Sequence, residues 1–438
     1  MILFTHHTGE PHGILGAQLA ATFFQQELSI PSIVVGVERN FLRENLFRFI
    51  DEYYANRERI VAFSHLCGRK DLIELISELK QNGFTTLLGG PQARQDYGGE
   101  PEADSHPHRF KGLRSTVDVA FQGPVDGFKT SDLEQPRGKL IETLWNRKLF
   151  LKVDWSNLYI FSDTLRKHEV RLGQVLQAIG CPYSRKAQNV LLPPPVGLRD
   201  RGIPEISVQS EGCVFCDVSR DKGFQGRVEE DWMIAQIERL PQFDGKKIPF
   251  ELIDEYPIRS LGRLLEDVEN QKINLTQINL VCRVDDINKH APDLSEILLK
   301  AQRLDVRIMF ASIGFESFSD RLLQYFCKGV TFDEIVKCVE TLRHLKDRFG
   351  DYLLYRRDEG ANHGFIRPTP WDDGETMQEI DRNLFLYRFY EDILPHHSTP
   401  LIIHHASFLG DWIRAIESAT GITFGRDGTW IEWWNASS

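Results

Sequence analysis

The residues best placed to do chemistry lie in EISVQSEGCVFCDVSRDKG, residues 205–223, where Cys213 and Cys216 stand two residues apart behind Gly212. Two thiols at that spacing suit a zinc half-site, a redox pair or an iron–sulfur cluster. Zinc would want two further Cys or His ligands at comparable spacing, and the sequence has no second CxxC. A thioredoxin-like pair belongs at a helix start, whereas here an alternating strand pattern and a glycine precede it. A cluster would need a third thiolate. The upstream AIGCPYSRKAQ supplies Cys181, giving a C-x31-C-x2-C spacing, with Arg185 and Lys186 nearby to favour thiolates. Thirty-one residues can extend on the order of 100 Å, so chain length permits convergence. Cys282 and Cys338 read as core, Cys327 ends a helix before Lys-Gly, and Cys67 belongs to an earlier domain. The third ligand stays open among Cys181, these cysteines, a non-cysteine group and a degenerate site.

The elements that must position these thiols follow from periodicity. Over residues 1–130, strands MILFTH, SIVVGV, RIVAFS, TTLLGG and VDVAFQG alternate with helical GILGAQLAATFFQQEL, NFLRENLFRFIDEYY and KDLIELISELKQNG. Continuous β-branched runs between amphipathic helices predict a doubly wound, Rossmann-like parallel sheet covered on both faces. Ligands in such sheets sit beyond the carboxyl ends of the strands, here THHTGEPHG, SHLCG, LGGPQ and FQGPVDG. Residues 131–200 read as a helical connector, containing DLEQPRGKLIETLWNRK and closing on the prolines of LLPPPVGL. A second alternation fills 201–370, with strands PEISVQS, IPFELID, QINLVCR, RIMFASIGFES and GFIRPTP. That pattern predicts a partial (β/α)6 barrel, followed by a small α/β carboxyl-terminal cap over 371–438. The fold class is therefore α/β throughout.

In order along the chain, these motifs resemble radical S-adenosylmethionine (SAM) enzymes. In that family three cysteines hold a [4Fe–4S] cluster whose open iron binds SAM, and the reduced cluster generates a 5′-deoxyadenosyl radical. GCVFC resembles the family's last two cysteines with an aromatic, Phe215, before the second, and GCPY resembles the surroundings of the first. The local C-x3-C is missing, since position 209 is glutamine. FELIDEYP resembles the second strand, CRVDDI the third, IGFESFSDRLLQYFCKGVTFDEIVKCVETLR the fourth with its Lys-Gly turn and Thr-capped helix, and HGFIRPTPWDDGE the fifth. The resemblance implies Cys181, Cys213 and Cys216 as cluster ligands. It implies Asp254, Glu255, Arg283, Gly314, Glu316, Ser317 and Ile366 as SAM contacts.

The amino-terminal domain resembles the cobalamin-binding domain of one radical SAM class. VAFSHLCG, LLGGPQ and VDVAFQGPVDGF match its loops, implying contacts at Ser64, Gly89, Gly90, Pro91, Gln122 and Gly123. The D-x-H-x-x-G signature is absent, although EPHGILG places His12 close to its pattern as an axial-ligand candidate. The whole resemblance implies methylation of an unactivated carbon of a small metabolite or peptide, with cobalamin as methyl carrier and a flavodoxin- or ferredoxin-type electron donor. Cyclisation, rearrangement or oxidation with cobalamin as redox partner is the alternative, and a non-catalytic cobalamin sensor a third reading. His396, His397, His404 and His405 near the end read as polar residues at a seam or as metal or acid–base groups, and Trp371 as pocket wall or core.

Bulk composition agrees. At 438 residues, 41% hydrophobic and 26% charged, the chain is globular and long enough for two or three domains. The net charge of −11 disfavours a nucleic-acid footprint. No apolar run approaches a membrane span or signal peptide, and seven scattered cysteines do not make a disulfide framework, which predicts a cytoplasmic protein.

Overall fold

The computed structural model describes every residue except 11, 65, 135, 144–151, 217–219, 221–223 and 438. It divides into two compact units, one holding residues 1–174, 229–241 and 426–430, the other 175–228, 242–425 and 431–438.

The first unit begins β1 (Ile2–His6), α1 (Leu15–Gln26), β2 (Ile33–Val37), α2 (Arg43–Tyr54), β3 (Ile60–Ser64), α3 (Lys70–Gln81), β4 (Thr85–Gly89), α4 (Ala93–Gly98) and β5 (Val119–Gln122). These match the expected elements, and the reason is visible in α3. Leu72, Leu75, Ile76 and Leu79 fall on one helical stripe and all four are fully buried. Beyond them come a one-turn helix α5 (Ser131–Glu134) and strands β6 (Lys139–Glu142), β7 (Leu158–Phe161) and β8 (Leu165–Lys167). The eight strands run β6-β5-β4-β3-β1-β2-β7-β8, parallel except for the β7–β8 hairpin. The order reverses beside β1, which places the crevice of a doubly wound sheet at the carboxyl ends of β1 and β3.

The helical connector expected over 131–200 is not observed. Its described residues are mainly short strands that widen the first sheet and start the second unit, and all of LWNRK lies outside the described residues. Strands of three or four residues with polar flanks leave too short a pattern for periodicity to register. Next come β9 (Gly173–Leu176), β10 (Ala178–Gly180), β11 (Ala187–Leu192), β12 (Ile206–Glu211) and β13 (Phe224–Arg227). β12, expected as the first barrel strand, instead pairs antiparallel with β11, and β9 takes the sheet edge.

Helix α6 (Glu230–Arg239) and a hairpin of β14 (Gln242–Phe243) and β15 (Lys246–Lys247) lead into the second alternation. It contains β16 (Phe250–Ile253), α7 (Ile258–Asn270), β17 (Gln277–Arg283), α8 (Val284–Arg303), β18 (Arg307–Glu316), α9 (Asp320–Tyr325), α10 (Phe332–Phe349), β19 (Leu353–Leu354) and β20 (Gly364–Phe365). The sheet order is β19-β18-β17-β16-β9 with β20 on β18, and the β16 to β20 pairings are parallel. Phe250, Leu252, Ile278, Leu280, Ile308 and Phe310 are fully buried and share one face by strand alternation. The opposite, inner face carries Glu251, Gln277, Asn279 and Met309. The remainder holds α11 (Gly374–Leu386), α12 (Phe408–Thr420) and a small sheet of β21 (Ile403–His404), β22 (Thr423–Asp427) and β23 (Trp430–Ser437) in the order β21-β23-β22. Trp371 is core, fully buried with its indole N–H on the Pro193 carbonyl at 3.0 Å.

Candidate cluster and cofactor site

The β11–β12 hairpin answers how Cys181 reaches Cys213. Ala187 faces Glu211 in antiparallel register, so the residues just before β11 and just after β12 emerge at the same hairpin end. Gly212 follows with φ +79, and a Cβ there would lie 3.1 Å from the Ser184 Cα. Its N–H donates to the Lys186 carbonyl at 3.0 Å. Only glycine lets the two chain segments approach this closely in that conformation. The turn Pro182–Arg185 then carries Cys181 as its leading residue. Burial and the Glu255 carboxylate push the Cys181 thiol up to about 11, with the charges of Arg283 and Cys213 also within reach.

Cys213 is buried, and the Arg283 Nη1 lies 3.5 Å from its Sγ. The Cys216 N–H donates to the Cys213 carbonyl at 3.2 Å, closing the short turn between the two thiols. Arg283, at the end of β17, is the cation of the site. It also binds Asp285 at 2.8 Å and the Lys328 carbonyl at 2.5 Å, and it stacks on the Tyr183 ring at 3.9 Å. Burial opposes its charge, but Cys213, Asp285 and Tyr256 outweigh that and hold it firmly protonated. Lys186, expected to favour a thiolate, lies over the Tyr183 ring instead. Among the described residues, none of the three cysteines belongs to a group of three ligand atoms within 4.8 Å of one another. A single zinc ion with bonds of about 2.3 Å would demand such crowding. A four-iron cube, with one thiolate per corner, demands a wider set.

Cys327 is also close. It is buried within electrostatic reach of Cys213, and its thiol shares a hydrogen bond with Ser210. Its carbonyl receives the Tyr183 hydroxyl at 2.9 Å.

Glu316, at φ +63, ends β18 and holds the buried Lys328 ammonium at 2.8 Å. Burial disfavours that charge, yet Glu316 and Cys213 raise the Lys328 pKa. A Cβ at Gly314 would lie 2.6 Å from Lys328 Nζ, and one at Gly364 2.8 Å from Glu316 Oε2, so both glycines make room for this pair. The other expected contacts divide. Glu255 faces the Cys181 side, whereas Asp254 is fully buried in an ion pair with Arg227 at 3.0 Å. Ser317 is fully buried and accepts the Ser319 N–H at 3.2 Å. Ile366 donates its N–H to the Glu316 carbonyl at 2.9 Å, and Phe215 packs edge-on against Phe326 at 5.4 Å. Tyr183, Tyr256 and Lys328 escaped the sequence reading. The Lys-Gly turn was visible, but nothing in the sequence lays the Tyr183 ring under Arg283 at 3.9 Å or puts the Tyr256 hydroxyl on Asp285 at 2.9 Å.

In the first unit, Ser64 pairs with Gly89 across β3 and β4, and Gly90 follows at φ +107 before Pro91. A small cleft there is lined by Leu66, Leu88, Gly89, Pro91, Gln92, Ala93 and Asp96. At the β5 edge Gln122 Oε1 accepts the Arg94 N–H at 3.1 Å, and a Cβ at Gly123 would lie 2.4 Å from the Thr143 carbonyl oxygen. His12 stacks on His7 at 4.8 Å, and its carbonyl takes the His7 Nε2–H at 3.2 Å. In the second unit His404 and His405 are buried with rings 4.5 Å apart, while His396 and His397 are exposed.

No family model matches the chain, and no curated protein matches it. Among solved structures it is similar to apo, selenomethionine-labelled OxsB, a cobalamin-dependent S-adenosylmethionine radical enzyme, with a TM-score of 0.54 at 12% identity. The alignment covers 98% of this chain and 63% of that one. The chain thus shares the fold of that structure, a doubly wound sheet followed by a second parallel sheet. No helix among the described residues is long and apolar enough to cross a membrane.

Proposed function

We propose that the chain is a cobalamin-dependent radical SAM enzyme that methylates an unactivated carbon of a small metabolite or peptide. The observation that carries this reading is the hairpin register that brings Cys181 beside Cys213 under Arg283. Cys181, Cys213 and Cys216 would hold a [4Fe–4S] cluster, and Ser64, Gly89, Gly90 and Pro91, with His12 nearby, would border cobalamin. When bound, the cluster supplies the electron that cleaves the SAM sulfonium, and cobalamin supplies a methyl carrier.

The chain's own residues supply the rest. Arg283 neutralises thiolate charge at Cys213, and its stacking on Tyr183 fixes the guanidinium plane. Glu255, Glu316 and the strand end at Gly314 offer carboxylate and backbone partners for the amino-acid end of SAM. Lys328 holds the Glu316 carboxylate in one orientation. A flavodoxin- or ferredoxin-type donor would deliver the electron. Anaerobic protein with SAM carrying an isotopically labelled methyl group, plus a reductant, provides the test. 5′-Deoxyadenosine and label in a product support methylation, 5′-deoxyadenosine without label favours the non-methylating chemistries, and neither would sink the enzyme reading.

A further inference from the structure

The inner face of the second sheet carries a carboxylate that the cluster and SAM contacts do not use. Glu251 alternates with the fully buried Phe250 and Leu252, which turns it to the inner face. It lies opposite Asn279 in parallel register, and Asn279 lies opposite Met309, so the three form one layer across β16, β17 and β18. The layer is already organised. Gln277 Nε2 donates to Asn279 Oδ1 at 2.7 Å and touches Met309 Sδ at 3.2 Å, which leaves the Asn279 amide N–H2 as a donor. It contains no lysine or arginine. Burial, and then the Glu255 charge, raise the Glu251 pKa, and among the described residues no hydrogen bond or cation opposes them.

Resting on the reading of this sheet as the reaction site, we propose that Glu251 receives a basic nitrogen of the substrate, making the substrate an amine. The chemistry is that of a half-buried carboxylate with no cationic partner among the described residues. Such a group is costly alone and strongly favours a hydrogen-bonded cation. Glu255, just beyond the strand end, is within electrostatic reach of both Glu251 and Cys181, so an ammonium held at Glu251 would leave the rest of the molecule directed at the strand ends. Asn279 would select for an acceptor beside that nitrogen.

The test needs neither iron nor turnover. Saturation-transfer NMR of the metal-free full chain at pH 7 would compare n-butylammonium, n-butanol and butyrate on wild type, Glu251→Gln and Asn279→Asp. The expected result is contact for butylammonium alone, weakened at least fivefold by Glu251→Gln and strengthened by Asn279→Asp, with thermal unfolding confirming that each variant folds. Equal butylammonium contact in wild type and Glu251→Gln, no contact in wild type, or equal contact for butyrate would each overturn the assignment. If Glu251→Gln does not fold, Asn279→Asp decides alone, and unchanged contact there overturns it. Failure of the radical SAM reading would show separately, as missing iron and missing 5′-deoxyadenosine.

Discussion

Cys213 meets Arg283 at 3.5 Å, while Cys181 and Cys327 approach the same thiol from different chain segments. Cys181 faces Glu255 and the strand ends, whereas Cys327 is tied to Ser210 and buried. Cys181→Ser is therefore expected to strip most of the iron from anaerobically reconstituted protein, and Cys327→Ser to retain it, as read by iron content and the low-temperature EPR signal. The reverse pattern would exchange their roles. Arg283→Gln removes the cation that lies 3.5 Å from the Cys213 sulfur, and at a given iron supply it is expected to lower cluster occupancy several-fold. At this scale the CxxC was legible as a motif because its two thiols are local. Arg283 was legible only through family likeness, and the stacking of Tyr183 on it was not legible at all, because side-chain aim depends on tertiary contacts.

Elements of regular period were read well and short ones poorly. The helices and core strands around β1 to β5 and β16 to β18 emerged from apolar spacing, and the Thr331 start of α10 from its capping pattern. That cap is a reciprocal pair, with Glu334 N–H on Thr331 Oγ1 at 3.3 Å and Thr331 N–H on Glu334 Oε2 at 2.7 Å. Thr331→Ala should cost about 1 kcal/mol in denaturant unfolding. The strands of 131–200 were missed because three residues such as Leu165–Lys167 carry no period. Gly212→Ala should destabilise by about 1 kcal/mol or more, since φ +79 and the Ser184 contact both oppose a side chain. It should lose iron as well.

Elements are also pinned by neutral histidines. His363 accepts the Ile313 N–H at 3.0 Å through Nδ1 and donates through Nε2 to the Tyr355 carbonyl at 2.7 Å, joining β18 to the segment after β19. His7 accepts the Gly9 N–H at 2.7 Å and donates to His12. Burial lowers each to about 4 from 6.5. The folded state therefore binds these protons less readily than the unfolded chain. The stability they give is complete above pH 6.5 and drains away as pH falls towards 4. Denaturant unfolding at pH 7.5 and 4.5 should show that loss, and His363→Gln should flatten part of it.

For the whole molecule, two α/β layers of different topology were legible from the two runs of alternating strand and helix. The partition of short strands between them was not. After anaerobic loading with iron, sulfide and a corrinoid, about four irons and one cobalt per chain are expected by metal analysis. Iron without cobalt would leave the first sheet as retained scaffold.

The hairpin of β11 and β12 carries one more consequence, for the order of events during biosynthesis. A contiguous three-thiol loop can grip metal while the polypeptide around it is still unstructured. On the proposed assignment Cys181 lies 32 positions upstream of Cys213, so the donors would assemble only once the antiparallel ribbon has closed. Metal uptake would then be a late checkpoint that only a correctly zipped chain passes, and lengthening the ribbon's turn should slow iron loading without changing the final iron content.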